Sequence, residues 1–211
     1  MKLRLVLAVA ASALALPLLA ADAPALYKEH CQVCHGENRL GGVGPALLPE
    51  NLERLRKPEA AKVIRESRPA TQMPPFGDKL KADEIQALAD WIYTRVEPAP
   101  VWAEAEIKAS QIVDAAALTL PNKPSKLLKG ADPMNLFIVV ETGDHHVSVL
   151  DGDKLERIHR FPSRYALHGG PKYSPDGQFV YFASRDGWIT KYDLWNLTVV
   201  AEIRAGLNTR N

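Results

Sequence analysis

Two stretches of the chain repeat each other without a gap at an offset of 42 residues, which places Phe137-Ile138-Val139-Val140 on Phe179-Val180-Tyr181-Phe182. At the same offset Val147 to Asp151 falls on Ile189 to Asp193, Leu155 on Leu197, Pro133 on Pro175 and Asn135 on Gly177. A period of about 40 residues, made of short β-rich runs and turns, is the pattern of a propeller blade, with a fourth strand shared or supplied by the stretch before it. Ser174-Pro175-Asp176-Gly177 has the composition of the turn that opens the second unit. Closed propellers have roughly four to eight blades, and an open pair leaves a long edge and an unburied face. The repeat therefore predicts about two all-β blades in a chain that is a truncated piece of a longer protein.

The other end of the chain has a different character. Lys2 and Arg4 precede an apolar run from Leu5 to Leu19, and small residues follow from Ala20 to Ala23. This is the pattern of a cleavable secretory signal, too short for the roughly 20 residues of a spanning helix. It predicts export to an oxidising, periplasmic compartment without a stable membrane span. With 26 Lys plus Arg against 25 Asp plus Glu, and no basic stripe, counterion release cannot drive binding, so nucleic acid is excluded as a leading partner.

From Pro24 to about Val96 the apolar spacing is helical, and the helix carrying Ile85, Leu88, Trp91 and Ile92 is the clearest, with Asp83 and Glu84 near its start. Between the helices lie Gly41, Gly42, Gly44 and Pro45, then Pro69, Pro74, Pro75 and Gly77. A domain this small with so much loop needs a staple. Cys31-Gln32-Val33-Cys34-His35 provides one, being the C-x-x-C-H pattern in which two thiols bond covalently to a haem and the next histidine ligates its iron. The two cysteines cannot form a long-range disulfide framework. A thioredoxin-like redox pair would want a βαβ context, which is absent from the pattern.

Met73, in the proline-held loop Thr71 to Phe76, is the expected sixth ligand, against the alternative of a core-filling methionine. His30 is a weaker rival. From Glu97 to Gly130 the prolines 98, 100, 121 and 124 bracket a connector in which Trp102 is expected to pin a neighbour. The predicted organisation is a signal over 1–23, an all-α cytochrome domain over 24–96, a linker over 97–130 and blades over 131–211. In the last region His168, beside Gly169 and Gly170, is open to two readings, an exposed loop histidine or a ligand. His145, His146 and His159 are assigned to hydrogen bonding or solvent.

Leu26-Tyr27, the C-x-x-C-H motif, Gly44-Pro45-Ala46-Leu47, Met73-Pro74-Pro75-Phe76 and the Asp83 to Tyr93 helix resemble, in order, the class I c-type cytochromes. That resemblance implies one covalent haem c, a Pro45 carbonyl on the His35 ring, and Trp91 packed where the first and last helices cross. The whole mature chain, with Tyr165-Ala166-Leu167-His168, Arg185-Asp186-Gly187 and Tyr192-Asp193-Leu194-Trp195, resembles the cytochrome cd1 nitrite reductase superfamily. It implies a noncovalent haem d1 or dihydro-haem d1 with His168 as proximal ligand and Arg185 near its carboxylates.

His168 to Gly177 and Ala183 to Trp188 are most similar to the dihydro-haem d1 dehydrogenase branch. Nitrite reductases more often carry a basic residue where this chain has Pro171. The branch implies electron transfer in haem d1 biosynthesis for denitrification, with a periplasmic redox partner and contact with other haem d1 biosynthesis proteins or nitrite reductase. A nitrite reductase and a non-catalytic mono-haem carrier remain the alternatives. No catalytic base is identifiable.

Overall fold

The computed structural model describes residues 21–165, 167 and 169–207. Most of the predicted signal, residues 1–20, and His168 lie outside the described residues. Helix α1 (Ala23–His30) begins where the Asp22 side chain accepts the Ala25 N–H at 3.1 Å and Pro24 presets the first turn. It ends at Cys31 and is followed by the single turn α2 (Gln32–His35). Helix α3 (Lys57–Glu66) buries Ala60, Ala61 and Ile64. Helix α4 (Ala82–Trp91) is opened by Glu84, whose carboxylate accepts the Lys81 N–H at 2.7 Å, and it buries Ile85, Leu88 and Ala89.

Both α1 and α3 pack on α4, enclosing Tyr27, Leu52, Ile64, Phe76, Leu80, Ile85 and Leu88. The Trp91 ring sits 5.1 Å from that of Tyr27 at the α1–α4 contact. No helix among the described residues is long and apolar enough to cross a membrane.

Beyond residue 103 the connector is ordered. Helix α5 (Glu104–Ala109) leads into strand β1 (Ile112–Val113), and two short 3-10 turns follow at Ala117–Thr119 and Lys126–Leu128. The remaining strands are β2 (Leu136–Glu141), β3 (His146–Asp151), β4 (Arg157–Pro162), β5 (Lys172–Tyr173), β6 (Phe179–Ala183), β7 (Trp188–Asp193) and β8 (Thr198–Arg204). They form an antiparallel sheet β2-β3-β4 and a second antiparallel sheet β1-β8-β7-β6-β5. Thus the connector supplies an edge strand to the second sheet, pairing Ile112 with Glu202 and Val113 with Ala201. The inner faces enclose Val147, Val149, Phe161, Val180, Phe182, Tyr192 and Leu194, with Phe161 stacked on Tyr192 at 4.1 Å. The chain is therefore multidomain, a helical N-terminal region followed by a β-sheet region.

The sequence repeat is a geometric repeat in only part of each sheet. The β3–β4 and β7–β8 ladders match at the 42-residue offset, including a bulge at Val149/Leu150 that recurs at Lys191/Tyr192. Asp151 and Asp193 close equivalent turns by accepting N–H bonds from Asp153 and from Trp195, and Leu155 and Leu197 both take positive φ. The first hairpins differ. Phe137 pairs with Leu150, whereas Phe179 pairs with Asp193 instead of Tyr192, a slip of one residue. The turns account for it: the first hairpin reverses through His145 at φ 58°, while the second is tied by Ser184 N–H to the Trp188 carbonyl and reverses at Gly187, φ 97°. A one-residue slip exchanges the faces of one strand against the other, so β6 presents Val180 and Phe182 on the same face as Tyr192 and Thr190.

Candidate functional site

Two loops on the helical region hold the residues expected to carry a haem. Cys31 closes α1, and its carbonyl accepts the N–H groups of Cys34 (3.1 Å) and His35 (2.9 Å), so the motif is wound as one tight turn. Both thiols are half-buried and unpaired, and burial, with Cys34 beside it, pushes the Cys31 thiol up to about 11.

His35 is buried. Its Nδ1 lies 2.8 Å from the Pro45 carbonyl, which makes Nδ1 the donor and leaves Nε2 as the unprotonated nitrogen. Burial holds the imidazole below its usual range, favouring that neutral form, while the Pro45 bond opposes this in part. A neutral ring with a free, oriented Nε2 is the donor an iron requires. Gly44 is needed beside it, because a Cβ there would lie 3.0 Å from His35 Cε1. Gly36, at φ +77°, would place a Cβ 2.2 Å from the Gly41 carbonyl.

Side chains from distant positions fasten this turn. Tyr27 donates its hydroxyl to the Gly36 carbonyl at 2.7 Å. Arg39, only 2% exposed, donates to the carbonyls of Trp91 (2.9 Å) and Thr94 (2.7 Å) and stacks over the Trp91 ring at 4.6 Å. It thereby satisfies the end of α4 while anchoring the loop after the motif. Neither spacing nor pattern marks Arg39 in the sequence as anything but a surface cation.

Met73 is half-buried and packs against the same helical core as Cys31. Its carbonyl accepts the Ser67 hydroxyl at 2.6 Å, and the loop after it is tied to α3 by Phe76 N–H to Ile64 (3.0 Å) and Gly77 N–H to Arg65 (3.0 Å). The donor set of two thiols, one oriented imidazole and one thioether thus fits a covalent haem. His30 instead stands beside Phe76, ring centres 6.0 Å apart.

In the sheet region Arg185 is the exposed tip of the β6–β7 turn, between the buried Ser184 and Asp186. Ser184 donates its hydroxyl to Asp186 Oδ1 at 2.5 Å and accepts the Trp188 N–H at 3.0 Å, which makes the turn rigid. Leu167 pairs with Ser184 in an isolated bridge, so the backbone next to His168 runs beside the Arg185 turn. Tyr165 is pushed up to about 12 by burial, opposed by the charges of Arg185 and of Arg68 from the helical region. His145 packs edge-on to Tyr165 at 5.1 Å, and a Cβ on Gly143 would touch the Ala70 carbonyl at 3.5 Å. The segment leading to Met73 therefore lies against the sheet region. Trp102, in the connector, donates its Nε1–H to the Arg204 carbonyl at 3.0 Å.

Comparison with known proteins matches residues 19–92 to the family "Cytochrome C oxidase, cbb3-type, subunit III" and residues 131–211 to "Cytochrome D1 heme domain". The chain is 58% identical over 194 residues to the dihydro-heme d1 dehydrogenase of Pseudomonas aeruginosa, covering 91% of this chain and 39% of that protein. It is 26% identical over 202 residues to a nitrite reductase of Stutzerimonas stutzeri, covering 88% and 35%. Among solved structures it is similar to the dihydro-heme d1 dehydrogenase NirN in complex with DHE, at TM-score 0.79 and 58% identity, covering 90% of this chain and 40% of that one. The chain spans about two fifths of the length of these relatives. Residues 19–92 are thus similar to the cbb3-type cytochrome domain, and residues 131–211 to the cytochrome D1 heme domain.

Proposed function

We propose that this chain is the electron-accepting cytochrome and part of the tetrapyrrole-binding surface of a dihydro-haem d1 dehydrogenase acting in the periplasm. The observation that carries the reading is the 58% identity running through both regions, against 26% to the nitrite reductase. In this reading residues 1–23 are an export signal, 24–96 the cytochrome domain, 97–130 the connector, and 131–211 the first blades of a propeller. Cys31 and Cys34 bond to haem c, His35 and Met73 ligate its iron, His168 is the proximal ligand of haem d1 or its dihydro precursor, and Arg185 pairs with a carboxylate of that tetrapyrrole.

Haem c, when bound, supplies a one-electron acceptor whose thioether ligand raises its potential. The reaction turns a propionate side chain into an acrylate by removing two electrons and two protons, so the electrons leave singly, by way of a one-electron periplasmic acceptor. The protein groups prepare for this. The Pro45 carbonyl keeps the proton of His35 on Nδ1, and the planar fork of Arg185 offers two parallel donors to a carboxylate.

The test is a visible spectrum of the chain matured in a c-type cytochrome host, before and after addition of haem d1, with haem staining on a denaturing gel. Covalent staining and a d1 spectral shift lost in His168→Ala are the expected results. Absence of staining overturns the attachment. A d1 spectrum that never changes removes the tetrapyrrole site and leaves a mono-haem carrier.

A further inference from the structure

Arg204, the last residue of β8, is 7% exposed and joins three parts of the molecule. Its Nε–H donates to the Asp186 carbonyl at 2.8 Å, and its Nη2 donates to the carbonyl of Leu40 in the helical region. The Trp102 ring covers the guanidinium at 4.8 Å, while the Arg204 N–H donates to Ser110 Oγ at 2.9 Å, so the connector holds it from the third side.

Leu40 and Gly41 share one peptide group. Its carbonyl accepts from Arg204, and its N–H donates to the His35 carbonyl at 2.8 Å. A guanidinium from the sheet region is therefore two hydrogen bonds from the backbone of the histidine. Asp186 presses on the same turn: a Cβ on Gly41 would lie 3.3 Å from its Oδ2. The residue before Asp186 is Arg185, and the one before that pairs with Leu167.

We propose that Arg204 is a positioning residue that latches the His35 turn to the Arg185 turn, fixing the separation of the two turns and placing a buried positive charge two hydrogen bonds from the backbone of His35. The inference rests on the haem c assignment above. A charged donor out of water polarises the peptide group it bonds, which strengthens the next bond in the chain. Only arginine has a fork that can serve two carbonyls on separate elements while its face lies against an indole. A neighbouring cation favours the reduced, less positive haem iron.

The test compares the haem-loaded 211-residue chain with its Arg204→Gln and Arg204→Lys variants. In the Gln variant the Gly41 amide is expected to exchange with solvent about tenfold to a hundredfold faster, the factor one charged hydrogen bond carries. The haem c midpoint potential is expected to fall in Gln and to be restored by Lys, which keeps the charge but not the fork. Unchanged exchange and potential in the Gln variant overturn the latch. Should that variant fail to accumulate, Trp102→Leu, which strips the cover from the guanidinium, must move both readouts the same way, and no change there is equally fatal. Haem staining of the unaltered chain judges the haem assignment. Protease cleavage of the 97–103 segment, faster in the variants than in the unaltered chain, judges the latch without any haem signal.

Discussion

The helical and sheet regions hold their functional turns by opposite means. Around His35 the fastening is non-local: Tyr27 reaches Gly36, Arg39 reaches Trp91 and Thr94, and Arg204 reaches Leu40. Around Arg185 the side chains that shape the turn are local, with Ser184, Asp186 and Trp188 bonding to one another within five residues, as Asp151 does with Asp153 and Lys154 in the preceding sheet, and Arg204 and Leu167 only dock on its backbone from outside. A turn that shapes itself can be repeated along a chain, because its geometry travels with its sequence. A turn that depends on distant side chains cannot, and it fails when any one of them is removed.

The sharpest way to break this comparison is to remove both thiols. Cys31→Ala with Cys34→Ala is expected to abolish haem staining and to unfold the helical region, because that region has a small core and long loops, while the sheet region keeps its strand signal in circular dichroism. Loss of the sheet signal as well would mean that the two regions fold as one unit. Next in size, Arg39→Ala is expected to destabilise the helical region by about 3 kcal/mol in denaturant titration, since two buried charged hydrogen bonds go at once. The matching local substitution, Asp151→Ala, is expected to cost about 1 kcal/mol, as only one turn loses its acceptor. Equal costs would refute the distinction.

The smallest effect is a pH dependence. Hydrogen bonds from Arg160 (2.9 and 2.7 Å) and Ser148 (2.5 Å) hold Glu141 down from the ordinary 4.5 to about 2. A carboxyl depressed on folding adds stability that is complete above about pH 4.5 and is lost as the pH falls through about 2. Glu141→Gln should therefore lower the stability of the sheet region by a constant amount above about pH 4.5, flatten the acid limb in that window, and converge with the unaltered chain below about pH 2. An unchanged acid limb, followed by tryptophan fluorescence, would assign acid sensitivity to other groups.

Several elements were legible in advance because their signals are local. The α4 helix follows from Ile85, Leu88 and Ile92 at helical spacing, and the Asp151 and Asp193 turns fall at the repeat offset. The register was not legible. The ungapped repeat implies that Phe179 pairs as Phe137 does, yet a tighter turn at Gly187 moves it by one, and no pattern of apolar residues reports a turn's reach. The connector illustrates the same limit: its prolines mark breaks, but only the exposed edge of β8 explains why Ile112 and Val113 become a strand.

The chemistry-bearing turn at Cys31-Cys34-His35, the helical spacing of the first region and the period of the second were set by the sequence itself, because each depends on neighbours a few residues apart. The placement of Arg39 at the end of α4 and of Arg204 on Leu40 was decided only by the tertiary structure. Arg39 satisfies carbonyls 52 and 55 residues away and Arg204 reaches one 164 residues away, and such a partner is chosen by where the packed elements leave an unbonded acceptor.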